Sequence, residues 1–470
     1  MPLPLSRRDW MTRSGCGFGA LALGALATQA APKSSPLAAK PTHHKARAKR
    51  IIFLFMQGGV SHVDSFDHKP ALTKLDGKAM PFDDARTVAN TGKRGTNERL
   101  MKPLWKFAQH GQSGKWASGL FPEINRHVDD LTFLHSLHTE GVAHGPATLF
   151  LHCGSTSFVR PSFGSWLLYG LGSENQNLPG FVSLAPSTGN GGPRNYGGAF
   201  LPAVYQGTAI GKAGGPTGEG IRNLSSTLSK GDQHARFDLL RELHAEQLKR
   251  TPGDAELEAV TESYELAWRM QANAPDALDL KRETKETLAA YGIGEKATDS
   301  YGRQCLTARR LCEAGVRFVQ VNYGDNTANP AWDQHSNMPK HADHAKAVDK
   351  PIAALLADLK ARGLLEDTIV WWGGEFGRTP YAQKNGTGRD HNPGGFTVWV
   401  AGGGFKPGFS YGATDEFGAA AVQDKVHMHD LHATLLHQLG LDHEKLTYRY
   451  AGRDFRLTDV HGRVVKDVLG

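Results

Sequence analysis

The stretch IVWWGGEFGRTP, Ile369 to Pro380, carries the pattern that decides the fold. An apolar run with two tryptophans stops at Gly373-Gly374, and an acid, Glu375, follows at once, with Arg378 three positions on. The run does not alternate apolar with polar, so it reads as a strand covered on both faces, as in a parallel sheet between helices. The helix-like stretch DKPIAALLADLKARGLLED leads into it.

Working outward, the same reading applies to IIFLFM (51–56), LTFLHS (131–136), FVSL (181–184), RFVQV (317–321), TIVWW (368–372) and FTVWVAG (396–402). SYGRQCLTARRLCEAG runs through Gly315 straight into RFVQV. Strand-helix-strand alternation predicts an α/β fold, a mostly parallel sheet sandwiched by helices. Three helix-like stretches, DQHARFDLLRELHAEQLKR, DAELEAVTESYELAWRMQA and DALDLKRETKETLAAYG, predict a helical insertion near 230–292. In DLHATLLHQLG, Asp430 is the expected N-cap and Gly440 the expected stop. The glycine-rich tract 187–200 reads as a loop.

At 470 residues, with 39% hydrophobic and 21% charged residues and 9 tryptophans, the chain has globular values. The net charge of +7 is concentrated at the front, where residues 1–50 hold nine Lys and Arg against Asp9. The remainder is near neutral and has no basic run, so no nucleic-acid partner is expected. SRRDWM (6–11) followed by GFGALALGALATQAA reads as a twin-arginine export signal over residues 1–30, removed on maturation to leave a periplasmic or extracellular protein with no stable membrane span. Residues 31–50 are polar and basic and read as a linker, so a single domain is expected from 51 to 470. Cys16 falls in the leader and is left unassigned. Cys305 and Cys312 lie two helical turns apart, about 10 Å, too far for a disulfide.

Ligands of such sheets bind beyond the carboxyl ends of the strands. The chemistry-bearing residues gather in those segments: Gln57, Asp64 and Asp67 in QGGVSHVDSFDHKP, Asp333 and His335 in WDQH, Glu375 and Arg378, Asp390 and His391 in GRDHNPGG, and His427 and His429 in VHMHD. Each fragment alone reads first as a capped loop. Together, imidazoles and carboxylates at several strand ends point to one or two divalent metal ions, of zinc, calcium, manganese or iron.

QGGVSHVDSFDHKP, PSFGSWLLYGLGSENQNLPGFV, CLTARRLCEAGVRFVQV, WDQH, GGEFGRTP, GRDHNPGGF and MHDLHATLLHQLGLDHEKLTYRYAGRDFRLTDV resemble the exported bacterial family grouped as domain of unknown function 1501. That family is similar to the alkaline phosphatase and sulfatase superfamily. The resemblance implies a metal-dependent fold acting on sulfate or phosphate esters of small molecules or polysaccharides. It also implies metal ligands among Asp333, His335, Glu375, Asp390, His391, His427 and His429, with Gln57, Asp64 and Asp67 as additional candidates. HGPATLFLHCG, His144–Gly154, resembles the sulfatase nucleophile helix and sets His144 on the nucleophile position, where an imidazole can be a ligand, a base or a nucleophile. Thr148, one turn on, reads as a packing residue. Arg378 is suited to a tetrahedral oxyanion, or alternatively to an ion pair with Glu375. Gln57 and His144 depart from the superfamily pattern and motivate the rival reading, a non-catalytic carbohydrate- or partner-binding protein on the same fold. A transferase or mutase differs only in its acceptor.

Overall fold

A computed structural model describes residues 35–81, 99–215, 228–251, 255–327, 330–383 and 387–470. The expected export signal and Cys16 lie outside the described residues. The central sheet is built from β1 (Arg50–Met56), β2 (Leu131–His138), β3 (Phe181–Leu184), β4 (Thr208–Ile210), β5 (Phe318–Tyr323), β6 (Thr368–Gly373), β7 (Phe396–Ala401), β8 (Phe409–Tyr411) and β9 (Val426–His427). Its order is β8-β2-β7-β6-β1-β5-β3-β4, with β9 also pairing to β2. β1 lies parallel between β5 and β6, Ile51 facing Phe318 on one side and Ile369 on the other. β7 is antiparallel to both its neighbours, β2 and β6, and the other pairings are parallel.

The continuous apolar runs have a simple cause. Alternate side chains of each strand enter two different cores. Ile52, Leu54, Met56, Val370 and Trp372 pack on one face with Leu306 and Leu355, from α5 (Asp299–Glu313) and α6 (His341–Ala361). Ile51, Phe53, Phe55, Ile369 and Trp371 pack on the other face with Trp166 and Leu431, from α2 (Phe163–Leu171) and α7 (Met428–Gln438). Phe53 and Trp371 stack with ring centroids 3.7 Å apart. Each such buried side chain contributes about 1.5–3 kcal/mol, so neither face can turn polar without loss.

The expected helical stretches form α3 (Lys230–Arg250) and α4 (Ala255–Leu278). The third differs from expectation. α4 absorbs its first residues, Leu280–Arg282 makes a 3-10 turn, and Thr284 accepts from the Thr287 amide to start a short helix, Lys285–Ala290. α7 also begins earlier than expected: His427 is its N-cap and Asp430, at the third helical position, reaches back to the His427 amide at 3.0 Å in a capping box. Gly440 follows the end of α7 with φ +80°. Residues 35–49, expected as a linker, form no helix or strand but lie against the domain: Leu37 and Ala48 are buried, and the Arg47 and Ala48 amides donate to Gln438 O. Cys153, Cys305 and Cys312 are buried free thiols. Among the described residues no helix is long and apolar enough to cross a membrane.

Candidate metal centre

Every segment of the centre leaves the same rim of the sheet. β1 ends at Met56 before Gly58-Gly59, β5 ends before the loop carrying Asp333 and His335, β6 ends before Glu375, and β2 ends before α1 (His144–Cys153). His391 precedes β7, the antiparallel strand, so it reaches that rim from the strand's amino end. Gly58 has φ +112°, and a Cβ there would meet the Asp333 amide nitrogen at 2.7 Å. The first loop needs glycine at that position for the Asp333 loop to close over it.

His144, Asp333, His335 and His391 bring one ligand atom each to within 4.8 Å of one another. Asp333 is the hub. Its Oδ1 lies 3.0 Å from His335 Nε2 and 3.2 Å from His391 Nε2, and its Oδ2 lies 3.2 Å from His144 Nε2. His335 Nε2 and His391 Nε2 are 3.0 Å apart. Each ring is held from behind through Nδ1: His144 by Glu375 Oε1 at 2.7 Å, His391 by Val142 O at 2.9 Å and His335 by Gln383 Oε1 at 2.5 Å. Carboxylate and carbonyl oxygens only accept, so Nδ1 carries the proton and Nε2 presents a lone pair inward. Three lone pairs and a carboxylate facing one point repel unless a cation lies between them. His144 Nε2 is buried with no aligned hydrogen-bond partner, as a ligand nitrogen awaiting an ion would be. The residues fit a metal ion.

The electrostatics keep Asp333 an anion and draw positive charge to His144. Burial would raise the Asp333 carboxyl, but the three imidazoles and the Arg378 guanidinium hold it well below the usual carboxylate range. Burial pushes His391 down to about 4, helped by Arg378 and the neighbouring rings. Burial would lower His144 too, but the Asp333 and Glu375 carboxylates outweigh it and raise its pKa.

The sequence pattern of the family described as "Protein of unknown function (DUF1501)" matches residues 48–469. The chain belongs to this family. No curated protein matches the sequence. Among solved structures it is similar to the PsFucS1 sulfatase from Pseudoalteromonas sp., at 12% identity and TM-score 0.36 over 85% of this chain and 69% of that one. It is also similar to the lipoteichoic acid synthase LtaP from Listeria monocytogenes, at 8% identity and TM-score 0.35 over 90% and 78%. A third is an alkaline phosphatase superfamily protein from Vibrio parahaemolyticus, at 9% identity and TM-score 0.34 over 87% and 70%.

The other expected site residues of this DUF1501 member fall into layers. Glu375 stands behind His144, with both carboxylate oxygens accepting from the Gly58 amide at 3.0 and 3.1 Å. Asp390 Oδ1 accepts from the His391 amide at 2.7 Å and lies 3.6 Å from His335 Nδ1. Arg378 differs from both expectations for it. It is fully buried and pairs with Asp333 at 2.8 Å rather than with Glu375. Its Nε, Nη1 and Nη2 also donate to Gly59 O, to Arg389 O, and to Trp332 O and Gly58 O respectively, so the buried guanidinium is turned to backbone carbonyls rather than to an incoming anion. Gln57 is buried against Gly324 at the end of β5. Asp64 pairs with Arg389 at 2.7 Å, and Asp67 pairs with Lys69 at 3.0 Å and accepts from Thr414. His427 and His429 are not brought to the cluster. β9 pairs with β2, which β7 separates from β6, and the two rings pack on Phe150, well down α1 from His144. Sequence reasoning missed Val142, Gln383 and the Gly58 amide, which act through backbone or a neutral amide and carry no chemical signature; Arg389 stood in the quoted GRDHNPGG, and its charge was the available signal.

Proposed function

We propose that this chain is an exported metal-dependent hydrolase of sulfate or phosphate esters, with residues 1–30 as a removed export signal and a single domain from about 51 onward. The observation that carries the reading is the convergence of His144, His335 and His391 Nε2 on Asp333 with each Nδ1 held by an acceptor. A divalent ion bound there supplies a Lewis acid toward an ester oxygen and lowers the pKa of water. The chain's own groups do the rest. Glu375 fixes the His144 tautomer, and Arg378 keeps Asp333 ionised. His335, with 26% of its side chain exposed against 9% or less for the other three, marks the side from which substrate approaches.

A second reading has its own observation. His144 Nδ1 is held by Glu375 and its Nε2 points into the cluster, 3.2 Å from Asp333 Oδ2, so the ring at the position the sulfatase resemblance assigns to a nucleophile is turned to the cluster. A carbohydrate- or partner-binding protein would need no nucleophile. Aryl sulfates, aryl phosphates and sulfated polysaccharides assayed with metal-loaded protein separate the two. Metal-dependent turnover abolished by His391→Ala supports the hydrolase, whereas saturable ligand binding without turnover on any of them supports the binding protein.

A further inference from the structure

Resting on the reading of the cluster as a metal centre, we propose that it takes a single ion, of the zinc or ferrous-iron kind, because the Arg378 guanidinium already fills the neighbouring cation place. The inward donors are three imidazole nitrogens and one carboxylate. Imidazole selects zinc, iron and similar borderline metals, while calcium takes six to eight oxygens and magnesium a near-octahedral oxygen shell. Among the described residues no second carboxylate joins the cluster: Glu375 is engaged by the Gly58 amide and His144, and Asp390 by the His391 amide.

A hard cation would need an oxygen cage, and one exists beside the cluster. The carbonyls of Gly58, Gly59, Trp332 and Arg389 and the Asp333 carboxylate converge on one buried position, and Arg378 occupies it. Asp333 therefore lies between a fixed organic cation and the ion site. A pair of ions about 3.5–4 Å apart, the spacing of two-metal hydrolases, has neither ligands nor room on that side. Among the described residues there is no other cluster of three or more His, Cys, Asp or Glu with ligand atoms this close.

The test strips the full-length protein with a chelator and titrates it with zinc, ferrous iron under nitrogen, calcium and magnesium, read by native mass spectrometry and thermal melting. One equivalent of zinc or iron is expected, with a raised Tm and binding on the order of 100-fold or more tighter than calcium or magnesium, as imidazole donors dictate. Two tightly bound equivalents, or calcium competing on equal terms, overturns the inference. Protein that binds no ion overturns it together with the metal-centre reading. A one-ion protein inert toward every ester leaves it standing and removes only the hydrolase.

Discussion

Glu375 Oε1 lies 2.7 Å from His144 Nδ1, and the carboxylate that ends the WWGG strand thus serves an imidazole rather than an ion or a substrate. The Gly58 amide fixes the carboxylate in turn at 3.0 and 3.1 Å. A buried acid just beyond β6 is tolerated because its oxygens have partners, and those partners come from the next strand in the sheet and from the first turn of α1. Glu375→Gln keeps the size but places an amide N–H against either the Gly58 amide or His144 Nδ1–H. Metal affinity should fall about 10–100-fold, the usual cost of losing a partner behind a ligand, with the far-UV spectrum unchanged. Competition against a chromogenic chelator measures it, and an unaltered dissociation constant would show that Glu375 does not position His144.

Asp333 is the residue on which the centre depends most. It faces three imidazoles and Arg378, and both ion-pair partners are almost entirely buried. Asp333→Ala leaves the Arg378 charge without its carboxylate, which costs about 3–5 kcal/mol in a buried pair, and removes a ligand as well. Asp333→Asn keeps a hydrogen-bond acceptor for Arg378 and should be the milder change in urea denaturation. Both variants should lose stoichiometric metal. If Asp333→Asn retained a full equivalent, the carboxylate would not be a ligand.

The sheet was legible because its evidence is local: six uninterrupted apolar runs, each ended by glycine or a polar segment, map onto β1, β2, β3, β5, β6 and β7 within one or two residues. The rim was legible as a place, since Asp333, His335 and His391 stand at strand ends in the order of the chain. What the sequence could not order was the second layer. Nothing near Arg378 in sequence distinguishes a guanidinium aimed at solvent from one aimed at four carbonyls, because Gly58 and Gly59 are more than 300 positions away. His427 ends a strand, with His429 in the first turn of the helix that follows; the partner of that strand, β2, was recognisable, but its place at the sheet edge follows from the pairing of β9. The capping of α7 by His427 was hidden for a similar reason: Asp430 suits either the N-cap or the third position, and the geometry of the preceding strand decides.

Arg389 and Asp64 form a second buried pair under the same rim, at 2.7 Å with neither side chain exposed. Arg389 also donates to the carbonyls of Thr379, Met101 and Lys102, and Asp64 accepts from Ser61 and the Leu104 amide. The pair ties the loop after β1 to the segment that presents His391. Arg389→Met strands the Asp64 charge and should cost about 3–5 kcal/mol, whereas the Arg389→Met, Asp64→Asn double variant should recover part of it. A double-mutant cycle by urea denaturation reads the coupling, and strictly additive losses would mean that the two side chains act independently.

Asp349, in α6, offers a pH dependence remote from the metal ligands. It accepts from the Glu123 and Ile124 amides at 2.8 Å each, which favours its charged form, but burial outweighs them and pushes its carboxyl up to about 6. A carboxyl whose folded pKa lies above its unfolded value near 4 binds its proton more tightly in the folded state. Its stabilising contribution is therefore complete below pH 4 and is lost as the pH rises through 6. Comparing urea midpoints of the wild type and Asp349→Asn cancels the other titrations. The wild type should lose roughly 1–3 kcal/mol relative to the variant between pH 4 and pH 7, about 1.4 kcal/mol for each unit by which the carboxyl is raised. A difference that stays constant across that range would place the Asp349 titration elsewhere, and a difference that grows in favour of the wild type would mean that the two amides, and not burial, set its charge.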